Sequence, residues 1–407
     1  MKIRIFTLVL TVVLIAASLS SCFFFNTVTD VPASDKNNEP TNTTVNVDEV
    51  KNTYITVNGA ESAEEIAVEK ALLSAVSIKT DTASGSGVIF RLSEDKSVAY
   101  VLTNYHVIYD SKTHGVSKNI KAYLYGMESH LYGDQGFSYA MNALYVGGTV
   151  QYDLAVLKIV ASEVLMNSHA VACEFADSND IRVLETAIAV GNAAGNGISA
   201  TMGKVNVDSE EIQLLAADEK TALSLRVMRT DAAVNSGNSG GGLFNAQGKL
   251  IGIVNAKSAV STADNIGFAI PSNVAKYIAE NIIHYCDKTD RTSAYRCLLG
   301  ITVRTVALYT ELDEQTGNVY RKETVAVDSI SSETAAANGY LKSGDIINLI
   351  TIDGKSYEVT RMFHVVDAMF NARAGSNVVV NVTRGEDTLD ITVPVSGDDI
   401  KNADTVN

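Results

Sequence analysis

The run Asp231-Ala232-Ala233-Val234-Asn235-Ser236-Gly237-Asn238-Ser239-Gly240-Gly241-Gly242-Leu243 sets Ser239 among four glycines. A serine hydroxyl is a weak nucleophile at neutral pH. It becomes a useful one when a base takes its proton and backbone N–H groups stabilise the oxyanion that forms. Glycine flanks allow the tight backbone path that aims two such groups at one point, because glycine tolerates positive φ. The donors here would be the amides of Gly237 and Ser239. The bland alternative is an ordinary glycine-rich turn. The choice depends on whether a histidine and an aspartate stand where a catalytic triad needs them.

The elements that must position such groups are mainly strands. Gly85-Ser86-Gly87-Val88-Ile89-Phe90 and Tyr100-Val101-Leu102-Thr103-Asn104-Tyr105-His106-Val107-Ile108 flank a polar turn and read as a hairpin, with His106 where the second run ends. Asp153 heads the apolar run Leu154–Leu157. By themselves, a histidine at a strand end and an aspartate before a strand are commonly structural. Before the hairpin, Ser62–Glu65 has the capping-box pattern, predicting a short helix that leads into a strand near Ala75–Ile78.

Several chemistries are excluded. Net charge is −15 with no Lys/Arg cluster, which argues against nucleic acid and against electrostatic attachment to anionic lipid. The six histidines make no HExxH pattern and no cysteine pair has zinc-like spacing, so no metal or other cofactor is expected. Gly191-Asn192-Ala193-Ala194-Gly195-Asn196-Gly197 fails as a phosphate loop, lacking a Lys-Ser/Thr and a following helix. It reads as a hairpin turn. A Cys286–Cys297 bridge is possible, although free thiols fit the scattered cysteines better. The composition, 46% hydrophobic and 19% charged, is globular.

Taken together, GSGVIF, VLTNYHVI, YDLAVLK and the Ser239 run resemble trypsin-like serine proteases of the HtrA (Deg) family. The order His106, Asp153, Ser239 is the chymotrypsin-type order. The resemblance implies a mainly β fold, a trypsin-like double β-barrel over residues 61–288 followed by a PDZ domain over 295–398, a small α+β barrel. It implies Ser239 as nucleophile, His106 as general base, Asp153 as the group that fixes the tautomer of His106, and an oxyanion hole from Gly237 and Ser239. It also implies that Ile253, Val254 and Asn255 bind substrate backbone as an added strand. Ala233 stands where pockets for basic side chains carry a carboxylate, which predicts small or medium aliphatic side chains in the pocket. Ser236 and Gly242 replace prolines common in the family and loosen the unfolded loop. The Tyr-rich part Tyr123–Tyr145 is longer than expected and reads as containing an inserted loop.

After Pro271-Ser272-Asn273 a helical pattern carries Val274, Ile278, Ile282 and Tyr285 on one face, and Asp287–Thr292 reads as an interdomain hinge. Strand-like runs follow at Leu299–Val303, Thr324–Ile330, Gly344–Ile350 and Val378–Thr383, with helical patterns at Ser332–Gly339 and Thr360–Ala374. Asp353-Gly354 is a hairpin turn. "LGI", "AAANGYLKSGDII" and "IDGK" in that order resemble a PDZ domain. The resemblance implies capture of a peptide carboxy-terminus on the loop Leu298, Leu299, Gly300 and Ile301, facing a helix that carries Phe363, Val366 and Phe370. Tyr309–Lys322 is a polar excess over a minimal PDZ loop.

At the amino terminus, a basic start, an apolar run from Ile5 to Ala17 and Leu19-Ser20-Ser21-Cys22 predict a signal peptide over residues 1–22, with a lipobox-like ending that marks Cys22 for lipidation. An uncleaved spanning anchor extended by Phe23–Phe25 is the alternative. Residues 23–60 read as a solvated linker. The expectation is an extracytoplasmic, membrane-anchored serine endopeptidase acting on unfolded or extended polypeptides in quality control, a homotrimer by family analogy. The second reading is a chaperone or peptide sensor that uses the PDZ domain with little proteolysis.

Overall fold

The computed structural model describes residues 63–128, 139–256, 266–289, 291–331 and 337–405. Cys22, the signal segment, the linker, the Ser62 end of the capping box and most of the Ser332–Gly339 pattern lie outside them. None of the helices among the described residues is long and apolar enough to cross a membrane.

The first helix, α1 (Ala63–Ser74), passes directly into the strands of the first sheet. These are β1 (Ala75–Lys79), β2 (Ser84–Leu92), β3 (Val98–Thr103), β4 (Tyr109–Asp110), β5 (Gly115–Val116), β6 (Lys121–Leu124), β7 (Met141–Asn142), β8 (Leu144–Thr149) and β9 (Leu154–Val160). β4 and β5 pair only with each other; the other seven form one sheet in the order β7-β6-β1-β2-β3-β9-β8. Its end strands β7 and β8 are neighbours in the chain, so the sheet curls round on itself, over a core that includes Val76, Ile78, Ile89, Val101 and Leu157. Successive side chains of a strand point to opposite faces, which puts these on one face, while Ala75, Val88, Leu102, Leu154 and Val156 face the other way into a second buried core.

The second unit is a closed barrel, β10-β11-β12-β15-β14-β13, from β10 (Thr186–Gly191), β11 (Ser199–Leu215), β12 (Ala222–Thr230), β13 (Gly242–Phe244), β14 (Leu250–Asn255) and β15 (Gly267–Pro271). The first sheet also carries two short helices, α2 (Tyr105–Ile108) and, after β9, α3 (Glu163–Met166). α4 (Ser272–Thr289) follows β15 and buries the expected stripe Val274, Ile278, Ile282 and Tyr285.

The third unit comprises β16 (Tyr295–Cys297), β17 (Ile301–Asp313), β18 (Asn318–Ile330), β19 (Ile346–Ile352), β20 (Lys355–Glu358), α5 (Met362–Ala368), β21 (Asn377–Arg384), β22 (Asp387–Pro394) and β23 (Ile400–Asn402). Asp353 (φ 50) and Gly354 (φ 85) both take left-handed backbone in the expected hairpin turn. The polar excess at 309–322 is a strand extension. Asp313 accepts from Gln315 N (2.9 Å) and Thr316 Oγ1 (2.6 Å), closing a tight turn that lets β17 and β18 run on as a long hairpin.

Three expectations change. The helix expected over Thr360–Ala374 and stopped by Gly375 is only α5, since Met369, Phe370 and Asn371 donate to carbonyls three residues back, in tight turns. Gly375 serves a later turn. The supposed hinge is pinned: Gly148 N donates to Thr292 O (2.9 Å), Ala294 is fully buried, and the Asn281 side chain holds both Tyr295 N (2.8 Å) and Tyr295 O (2.7 Å). Gly242 belongs to β13, paired with both Val190 and Ile253, rather than to a loose loop. Among the described residues Cys173, Cys286 and Cys297 form no disulfide.

Candidate active site

Thr103 ends β3, and Asn104 leaves it in extended conformation before α2, a single turn that carries His106 to the surface of the first sheet. The loop between β8 and β9 brings Asp153 to the same point. His106 Nδ1 lies 2.6 Å from Asp153 Oδ2, and His106 N donates to Asp153 Oδ1 at 2.9 Å. Asp153 is 3% exposed and takes φ 48, a left-handed conformation costing about 1 kcal/mol for a residue with a Cβ. Its surroundings enforce that conformation: its carbonyl accepts from Asn104 Nδ2 (2.9 Å) and Tyr105 N (3.1 Å). The carboxylate also accepts from Asn255 Nδ2 at 2.9 Å. Charge-assisted bonds of this kind fix the carboxylate against the Nδ1 side of the imidazole, leaving Nε2 for proton transfer.

Ser239 comes from the second barrel, 6% exposed, on a loop that both barrels hold. Ser86, in β2, donates through Oγ to Gly237 O (2.7 Å) and through N to Ser239 O (2.8 Å). Ala194 N, in the turn after β10, donates to Ser236 O at 2.7 Å. Gly237 has φ +97, and a Cβ there would lie 2.2 Å from Asn192 O, so this position requires glycine. Among the described residues the amides of Gly237 and Ser239 donate to no protein group. Two neighbouring N–H groups left over on a buried loop are what an oxyanion needs. Ser239 Oγ accepts from Ala256 N at 3.1 Å.

The other residues singled out in the sequence fare differently. Ala233 is exposed, its carbonyl held by Thr201 Oγ1 at 2.9 Å. Ile253 pairs with Gly242 on one edge and Ile270 on the other, and Val254 with Ala269 while its N and O bond Gly241 and Gly240. Neither has an edge left for an added substrate strand. Asn255 directs its side chain to Asp153. Sequence reasoning missed Ser86 and Asn192 as supports of the serine loop. The signal was the small-residue phrase Gly85-Ser86-Gly87, where a Cβ on Gly85 would sit 3.0 Å from Ser239 O. The Tyr-rich insertion contributes Glu128, whose buried carboxylate accepts from Ile198 N at 2.8 Å beside the same turn.

In the third unit β17 is an edge strand. Gly300 has φ +70, and the amides of Leu299 and Gly300 donate to no protein group among the described residues, while Leu298 N is taken by Asp399 O (2.8 Å). Ile301 begins the strand. Of the helix residues expected to face this loop, Phe363 instead stacks under Arg226 of the second barrel, 3.8 Å from ring centre to guanidinium. Phe370 lies beyond α5, fully buried against the first sheet. Arg226 pairs with Asp367; burial pushes the arginine down and the aspartic acid up, each opposed by its partner. Arg361 bridges Asp208 and Glu323, both at 3.0 Å. His364, buried between these arginines, is held down at about 4 by burial first and then by their charge. A cleft of 1460 Å³ opens between the second barrel and this domain; none of His106, Asp153 or Ser239 lines it.

Residues 85–253 match the trypsin-like peptidase domain family and residues 298–395 the PDZ domain family. The chain is 30% identical to the serine protease Do-like HtrA of Lactococcus lactis strain IL1403, over 79% of this chain and 73% of that one. It belongs to the HtrA family of serine proteases. The Bacillus subtilis HtrA is 31% identical over 75% of this chain, and the chain spans 62% of that relative's length. Among solved structures, the HtrA-type protease AlgW with tripeptide aligns with a TM-score of 0.50 and 28% identity, covering 81% of this chain and 95% of that one. Membership accounts for the mostly stranded architecture with a PDZ domain after the peptidase domain.

Proposed function

We propose that this chain is a serine endopeptidase in which Ser239 attacks a peptide carbonyl, His106 takes and returns the proton, and Asp153 orients His106. The Gly237 and Ser239 amides hold the oxyanion. The observation that carries this reading is the 2.6 Å contact of His106 with a buried Asp153, together with a serine loop that leaves two amides unused. Both features match the needs of acyl transfer: a base with a fixed tautomer, and donors waiting where negative charge develops. Substrates are extended or unfolded polypeptides, cleaved after small or medium aliphatic residues, consistent with the uncharged Ala233. The free edge of β17 and the Leu299 and Gly300 amides support capture of peptide carboxy-termini by strand addition.

The chain acts outside the cytoplasm, lipid-anchored at Cys22, in removal of damaged proteins, and assembles as a trimer; these readings rest on the sequence of residues 1–22 and on its relatives. A fluorophosphonate probe and casein test the chemistry, using the chain without residues 1–22. Labelling and cleavage in the wild type, both lost in Ser239→Ala, are expected. An unlabelled, inactive wild type would refute the proposal. Radiolabelled palmitate incorporation, lost in Cys22→Ala, tests the anchor.

A further inference from the structure

The loop that carries Asp153 is short: Asp153 N donates to Val150 O at 3.1 Å, and the chain then enters β9. Its inner side meets His106 and Asn255. Its outer side meets residues from the far end of the chain. Asp404 Oδ1 accepts from Thr149 Oγ1 at 2.6 Å and from Gln151 N at 2.9 Å. Tyr152, the residue before the aspartate, packs edge-to-face on Phe370 with ring centres 5.2 Å apart, and its hydroxyl accepts from Arg296 Nη1 at 3.0 Å. Phe370 and Ala403 belong to one apolar core with Leu154 and Val156 of β9 and Ile278 and Ile282 of α4. Phe370 O in turn accepts from Asn281 Nδ2 at 2.8 Å.

We infer that Asp404 and Phe370, both in or beyond the PDZ domain, are positioning residues for the loop that holds Asp153 against His106. Asp153 is in left-handed backbone, a conformation that persists only where surrounding contacts over-determine it. Three of those contacts, at Thr149, Gln151 and Tyr152, come from outside the two barrels. A loop released on its outer side moves the carboxylate relative to the imidazole, and a displacement of the order of 1 Å costs up to about a hundredfold in rate. Neither residue touches substrate, so the effect falls on kcat and leaves KM alone. The inference rests on the Ser239–His106–Asp153 reading above.

The test uses the chain without residues 1–22, a fluorogenic peptide, and active-site titration with a fluorophosphonate so that rates are per competent site. Asp404→Ala is expected to lower kcat about tenfold at unchanged KM. Asp404→Asn keeps the accepting oxygen for Thr149 and Gln151 and is expected to restore most of the rate. Adding Thr149→Val to Asp404→Ala should cost little more, since both act through one contact. Phe370→Leu, measured the same way, should lower kcat through Tyr152. Unchanged kcat in both single variants, a loss confined to KM, or an Asn variant as impaired as the Ala variant would overturn the inference. A wild type that fails to label overturns the triad reading beneath it, which distinguishes the two failures.

Discussion

The serine loop and the aspartate loop are built on opposite plans. The serine loop is braced from within the two barrels: Ser86 of β2 and Val254 of β14 each hold two of its backbone groups, and Ala194 of the β10–β11 turn holds one. The aspartate loop is braced on one side by His106 and Asn255 and on the other by Phe370 of the PDZ domain and Asp404 just beyond it; Thr149 and Asp404 are 255 residues apart in sequence. The oxyanion half of the site is therefore a property of the peptidase domain. The base half depends on the PDZ domain being docked.

That contrast can be broken most severely at the aspartate itself. Asp153→Asn should lower kcat by roughly 10⁴ with the fold intact, because the wrong imidazole tautomer is then favoured; steady-state kinetics with a circular dichroism control measures this. On the serine side, Gly237→Ala forces a Cβ to 2.2 Å from Asn192 O and displaces one oxyanion donor. A loss of about 10²–10³ in kcat is expected, with His106 and Asp153 unmoved.

The docking contact should be the acid-sensitive part. An unfolded histidine titrates near 6.5, whereas His364 in the folded domain is held at about 4. Above pH 6.5 both states are neutral and the full stability is present. As pH falls towards 4 the unfolded chain binds a proton that the folded domain refuses, so stability declines, by up to about 3 kcal/mol. Denaturant unfolding between pH 7 and 4 should show this decline and a smaller one in His364→Gln, because His284, Glu323 and Asp345, also held below their ordinary values, still contribute. The smallest effect concerns the inner brace: Asn255→Leu removes one donor from the buried Asp153 carboxylate and should cost about tenfold in kcat. Equal losses from Asn255→Leu and Asp404→Ala would mean that the inner and outer braces matter alike.

The residues proposed as catalytic stood out as candidates because each sits in a short local phrase whose chemistry is read along the chain. The fold class followed from the same phrases and from strand periodicity. What the sequence did not reveal was contact between distant segments. Nothing in Thr149, Gln151 or Tyr152 announces Asp404 or Phe370, since a surface aspartate and a buried aromatic look the same whatever they meet. Ile253 and Val254 were misassigned for a related reason: an apolar run reads as a strand but does not say how many neighbours it has. The α5 boundary failed because the pattern Thr360–Ala374 keeps helical periodicity through residues whose backbone turns away to seat Phe370.

β16 just precedes the PDZ match and β23 just follows it, and the two strands pair, Tyr295 with Asn402 and Cys297 with Ile400. Entry and exit are thus stapled together on one patch of the peptidase surface. A domain mounted in this way has little slack, and it is held a second time where Phe363 and Asp367 meet Arg226 and Arg361 meets Asp208. It can twist by a small angle about that staple, but it cannot swing free as a bead on a string. The turn that carries Asp153 lies against this mounting, through Thr149 and Gln151 on Asp404.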